Sequence, residues 1–219
     1  MTQQANHQLD GQPGLARGGS SRRGLLAAGG AGALGALLAA CGGGGDSSTG
    51  TTPQAVARRP SDLEIVNFAL TLEYLEADFY DKVLASGLVR GEALEAVRII
   101  GAHEREHVQR LRGVAANLGE PVARPRTTFP LENQRQILNL ARTFENLGAA
   151  AYIGQAPSIR DPELLSQATS IATVEARHAA EVNRLVGRTP TPDGSFERPL
   201  TMQQVMAQAR PYLGSTAAS

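Results

Sequence analysis

The chain has 219 residues, of which 42% are hydrophobic, and its 21 basic side chains equal its 21 acidic ones. With no net charge and no basic stripe, nucleic acid is excluded as an expected partner. A single cysteine excludes an intramolecular disulfide.

Residues 1–60 contain no pattern able to fold. Arg22-Arg23 precedes a Gly/Ala/Leu run that ends Leu38-Ala39-Ala40-Cys41. Paired arginines before a weakly apolar stretch resemble a twin-arginine export signal. The LAAC ending resembles a bacterial lipoprotein cleavage box, with Cys41 as the acylated first residue of the mature chain. Residues 24–40 are glycine-rich and short for a membrane span, which needs about 20 apolar residues. The expectation is therefore an export signal over 1–41, a flexible Gly/Ser/Thr tether over 42–60, and an extracytoplasmic lipoprotein held to the membrane through Cys41.

Beyond the tether, helical periodicity with Gly/Pro punctuation predicts helices near 61–86, 91–118, 132–155 and 161–187. The first and second are joined by a tight turn, as are the third and fourth across Ala156-Pro157-Ser158. The link 119–131 contains Pro121, Pro125 and Pro130. Extended, it reaches about 40 Å, the length of a helix of about 26 residues, so it permits one long crossover. The expected class is all-α: a four-helix bundle over 61–187 with one long crossover, and a C-terminal extension over 188–219 carrying a short helix near 201–209. Met202, Val205, Met206 and Leu213 are expected to cover a bundle surface.

Each predicted helix places an ionisable residue on its apolar face. Glu73 lies among Val66, Ala69, Leu70, Ala77, Tyr80 and Leu84. Glu104 and His107 lie in the stripe Val97, Ile100, Val108, Leu111 and Leu118, while Glu106 points away. Glu145 is flanked by Leu138, Ala141, Ala149 and Tyr152, and Glu175 and His178 by Leu164, Ile171, Ala179, Val182 and Val186. The four glutamates with the two histidines form one constellation written twice, about 72 residues apart: a lone glutamate followed 31 and 30 residues later by ExxH. Carboxylate-bridged two-metal sites in four-helix bundles use this arrangement. Four carboxylates on apolar faces cost several kcal/mol each unless partnered, and two divalent cations cancel their charge.

The duplication extends to FALTLEYLEADFY at 68–80 and LARTFENLGAAAY at 140–152, which align without gaps. Each glutamate thus has a tyrosine two turns on. Tyr80 and Tyr152 are read either as core aromatics or as hydrogen-bond partners of the metal carboxylates. Glu76 breaks the symmetry, because its counterpart is Gly148. Glu76 is read as an extra ligand or proton carrier, with an exposed flank as the alternative, and Gly148 as a gap where an oxidant binds. Glu76, Tyr80 and Tyr152 are the candidate catalytic residues. His103-Glu104-Arg105-Glu106-His107 also satisfies HExxH, the helix signature of zinc proteases. Val174 stands where the second copy would need a first histidine, so a zinc hydrolase is the minor alternative and His103 a helix-flank residue, either structural or a partner of the ligands from behind.

Residues 61–213 resemble the ferritin-like domain family that includes bacterial exported proteins and the desiccation-related proteins of plants. The matching stretches are NFALTLEYLEADFY at 67–80, AHEREH at 102–107, GAAAYIGQAP at 148–157, VEARHAAEV at 174–182 and FERPLTMQQVM at 196–206. The resemblance implies a ferritin-like bundle and two metals bound by Glu73, Glu104, His107, Glu145, Glu175 and His178, with Glu104 and Glu175 bridging. Carboxylate and imidazole suit iron and manganese alike. Two functions remain open at this level: redox handling of dioxygen, peroxide or Fe(II) in envelope stress defence, and noncatalytic stress protection by a metal-stapled bundle. A homo-oligomer is compatible with either. A closed storage cage is a poor fit to a lipid-tethered domain with a C-terminal appendage.

Overall fold

The structure, a computed structural model, describes residues 58–214. The readings at Arg22, Arg23 and Cys41, and all but the last three residues of the tether, lie outside the described residues. The chain forms α1 (Asp62–Ser86), α2 (Glu92–Leu118), α3 (Gln134–Gln155), α4 (Pro162–Leu185) and α5 (Met202–Ala209). These ends agree with the sequence expectation to within about two residues, the ordinary fraying of helix termini.

Local chemistry explains the boundaries. Ser61 and Glu64 form a reciprocal capping box at the start of α1, and Gly87 ends that helix in the left-handed conformation at φ 64°. Asn133 caps α3 through the Gln136 amide. Asp161 caps α4 with Pro162 in its first turn. Thr201 and Gln204 form a second capping box at α5. The Ala156–Ser158 turn between α3 and α4 is a short 3-10 helix.

Packing pairs α1 with α2 and α3 with α4, and the two hairpins close the bundle through α1 against α3 and α2 against α4. The link between the hairpins is the expected crossover, and α1 pins it at two points. The Asn67 side-chain amide donates to Glu120 O at 3.0 Å, and its Oδ1 accepts from the Val122 amide at 2.8 Å. Farther along, Lys82 Nζ donates to Thr127 O at 2.6 Å. No described helix is long and apolar enough to cross a membrane.

The C-terminal extension packs as the sequence predicts. Val205 is fully buried and Met202, Met206 and Leu213 are half-buried; burying a valine stabilises by roughly 1.5–3 kcal/mol. Leu118 departs from expectation: placed on the core stripe of α2, it is 43% exposed, because it occupies the final position of the helix, beyond the packed stripe.

Sequence reasoning overlooked Gly154, where the extension meets the bundle. The Leu200 amide donates to Ala150 O at 3.1 Å and Leu200 O accepts from the Gln155 side chain at 3.2 Å. A Cβ at Gly154 would stand 2.0 Å from Leu200 O and 3.0 Å from Leu200 N. Both are backbone atoms with no rotamer to change. Gly154→Ala is therefore expected to displace the extension and cost about 1–3 kcal/mol, read as a lower unfolding midpoint and faster proteolysis after α4. Parent-like behaviour in both measurements would contradict this packing.

Candidate metal centre

The middle of the bundle is acidic. Glu73 projects from α1, Glu104 and His107 from α2, Glu145 from α3, and Glu175 and His178 from α4. Glu104, Glu145 and Glu175 are fully buried and Glu73 is 1% exposed. Ligand atoms of Glu73, Glu104, His107 and Glu175 lie within 4.8 Å of one another, and so do those of Glu104, Glu145, Glu175 and His178. Glu104 and Glu175 belong to both groups, so the two groups are adjacent.

The imidazoles enter through corresponding atoms. His107 Nδ1 lies 3.1 Å from Glu175 Oε1, 3.2 Å from Glu104 Oε2 and 3.3 Å from Glu73 Oε2. His178 Nδ1 lies 2.9 Å from Glu104 Oε1 and 3.3 Å from Glu145 Oε2. Proximity is not satisfaction here: Glu73 Oε2, Glu104 Oε1, Glu145 Oε2, both Glu175 oxygens and His178 Nδ1 are buried without a well-directed hydrogen bond. Leaving one such group unmet costs about 1–3 kcal/mol, more when charged. Hard oxygen donors with one imidazole in each group fit divalent iron or manganese, whose positive charge satisfies several lone pairs at once.

Electrostatics in the protein alone records the same strain. Burial, reinforced by the charges of neighbouring glutamates, holds Glu104 and Glu175 well above the usual carboxylate range. Burial also opposes charge on His107, but the close Glu104, Glu175 and Glu73 carboxylates around its Nδ1 outweigh it and raise the imidazole. Glu73 is lowered overall, since the nearby His107 imidazole, with the Tyr152 hydroxyl, overcomes its burial.

The tyrosines reach across the repeat. Tyr80 Oη donates to Glu145 Oε1 at 2.5 Å and Tyr152 Oη to Glu73 Oε1 at 2.5 Å. Each therefore holds the glutamate of the other copy, not the one two turns before it. Burial, then the neighbouring glutamate's charge, raises both phenols well above their usual range, so they stay protonated donors.

Two readings at the broken symmetry need correction. Glu76 is 2% exposed, so it does not lie on an exposed flank. Burial and the charges of Glu175, Glu145, Glu73 and Glu104 push its carboxyl well above the usual range. Gly148 does not leave an open gap: a Cβ there would stand 2.7 Å from Glu175 Oε2 and 3.0 Å from Glu76 Oε1. The space freed by the missing side chain is taken by these two carboxylates, because α3 approaches closely enough for them to fill it.

His103 joins the centre from outside. It belongs to neither ligand group; its Nδ1 lies 2.9 Å from His178 Nε2, with the rings edge to edge, 14° from coplanar and 5.2 Å apart at their centroids. The two histidines of HExxH therefore do not form a two-histidine ligand pair. Were His178 Nδ1 to ligate a metal, its Nε2 would carry the proton and donate to His103 Nδ1, which would fix the tautomer and ring orientation. His107 has no equivalent, since the position matching His103 is Val174. His103→Ala is expected to weaken binding at the His178 position by roughly 10–100-fold and to spare the His107 position, while His103→Asn, which keeps an acceptor, retains most of the affinity. Stepwise cobalt titration reads this; equal weakening of both steps would contradict it.

The sequence profile of the ferritin-like domain matches residues 61–188. The chain belongs to the ferritin-like domain family. No curated protein shows a significant match to it. The profile covers all four bundle helices and stops before α5, so the covering extension lies outside the matched ferritin-like domain. The buried glutamate and histidine groups of this domain can hold metal ions.

Proposed function

We propose that the chain is an exported ferritin-like di-metal carboxylate protein that handles dioxygen, peroxide or Fe(II) in envelope stress defence. Glu73, Glu104, His107 and Glu175 would hold one ion and Glu104, Glu145, Glu175 and His178 the other, as iron or manganese. The single observation behind this reading is that two ligand groups share Glu104 and Glu175, an arrangement that serves a pair of ions better than one. When bound, such a pair supplies redox chemistry divided between two metals.

The residues around the centre have separate tasks. Tyr152 and Tyr80 donate to Glu73 and Glu145, orienting the two carboxylates that belong to one group each. Full burial of the four helical glutamates keeps bulk water away. Glu76 adds a fifth carboxylate, held protonated by burial and its neighbours in the metal-free protein.

The deciding experiment is metal analysis of protein purified from its native compartment, with oxygen consumption, peroxide consumption and Fe²⁺ oxidation measured on the same sample. Turnover in any assay supports the redox reading. A fully loaded protein inert in all three favours noncatalytic stress protection, in line with the desiccation-related branch. For location, we propose export through the Arg22-Arg23 signal and anchoring by acylated Cys41. Fatty-acid labelling that persists in Cys41→Ala would contradict the anchor.

A further inference from the structure

The two halves of the bundle are packed differently on either side of the carboxylate cluster. In the internal repeat Tyr80 corresponds to Tyr152, Phe144 to Leu72, and Phe79 to Ala151. On the Tyr80 side, Phe79 meets Tyr80 and Phe144 edge-on at centroid distances of 5.1 Å each, and Phe129 and Tyr212 close around Phe144. That side is filled by rings. On the Tyr152 side the corresponding pair is Leu72 and Ala151, and there the structure contains a cavity of about 30 Å³. A methyl group standing where the other half has a phenyl ring accounts for the missing volume.

We infer that this chamber binds one small nonpolar molecule, dioxygen, beside Tyr152. The inference rests on the redox reading above and narrows its oxidant. A held water occupies about 10–15 Å³ of such volume, so the chamber has room for a diatomic guest. Val66, Leu111 and Ile171 extend its apolar wall with Leu72, Ala151 and Tyr152, and three polar residues, Arg110, Gln155 and Gln167, also line it. Gln167 Oε1, buried there without a partner, offers one of the about two to four contacts that a retained water needs. The Gln155 amide is committed to Leu200 O. A lining this largely apolar gives peroxide fewer hydrogen bonds than water does and so disfavours it, whereas dioxygen, which makes no strong hydrogen bonds in water, loses little by leaving it. Tyr152 is the wall shared with the centre: its ring lines the chamber while its hydroxyl holds Glu73 at 2.5 Å.

Xenon tests the chamber without any redox assay. Crystals of the metal-free and metal-loaded full chain, pressurised with xenon, should show a xenon atom between Leu72, Ala151 and Tyr152. Ala151→Phe, which restores the ring of the other half, and the smaller Ala151→Leu should both remove it and leave metal stoichiometry at the parent value. In the loaded protein the same variants should raise the KM for dioxygen several-fold with peroxide consumption unchanged. If Ala151→Phe does not fold, Ala151→Leu carries both measurements. No xenon in the parent chamber, or an unchanged dioxygen KM in a variant that has lost its xenon, overturns the proposal. If the parent binds xenon there but consumes no dioxygen when loaded, dioxygen as guest fails and only a gas-binding cavity stands; the redox reading fails with it only when peroxide and Fe²⁺ are left unreacted as well.

Discussion

Glu104→Ala or Glu175→Ala is expected to empty both proposed metal positions, and Glu73→Ala or Glu145→Ala to disturb one. The asymmetry follows from membership: Glu104 and Glu175 contribute to both groups, Glu73 and Glu145 to one each. Removing one partner of a buried charge pair costs about 3–5 kcal/mol, which is roughly a hundred- to several-thousandfold in affinity, and a shared carboxylate imposes that loss on each ion. Glu106→Ala, at an exposed position one residue before His107, retains the parent stoichiometry. Metal per chain after dialysis is the measurement, and parent-like content in both Glu104→Ala and Glu175→Ala would remove the shared role.

Metal removal is the second large effect expected. Chelated protein keeps its helices, since their caps and the apolar clusters on either side of the centre do not depend on the ligands. Its core nevertheless retains buried acidic oxygens without well-directed partners. At an ion concentration 1,000 times the dissociation constant, each bound ion stabilises the native state by about 4 kcal/mol. For a domain of this size 1 kcal/mol moves the midpoint by about 2–4 °C, so stripping one ion should lower the unfolding midpoint by roughly 10–15 °C. Circular dichroism at low temperature should change little, and differential scanning calorimetry reads the shift. A chelated midpoint within about 2 °C of the loaded one would mean that the cluster does not bind its ions in the native state with useful affinity.

Much of the centre was legible along the chain because its chemistry is periodic. Glu73, Glu104, His107, Glu145, Glu175 and His178 each interrupt an apolar helical stripe, and the structure brings all six into two adjoining groups. The tyrosines were legible as residues near the centre but not as to partner: from spacing, Tyr80 belongs with Glu73, yet its hydroxyl reaches Glu145 from the facing helix. Gly148 was misread for a related reason. A glycine on a helix looks like empty space until the neighbouring helices supply the Glu76 and Glu175 carboxylates that occupy it. His103 offered a detectable signal in its mismatch with Val174, but its partner is 75 residues away on another helix.

The sequence by itself determined the helices, their order, the long crossover and the burial of the four repeat glutamates and their two histidines, but not that of Glu76. These depend on capping residues, glycine and proline positions, and a periodicity of about 3.6 residues, all local to a few turns of chain. Only the tertiary structure decided which side chain meets which across the bundle: Tyr152 with Glu73, His178 with His103, Gly154 with Leu200, and an unfilled chamber at Ala151 where Phe79 fills the other half. Those pairings depend on the rotation, offset and separation of packed helices, where a shift of about an ångström exchanges a hydrogen bond for a clash or a cavity.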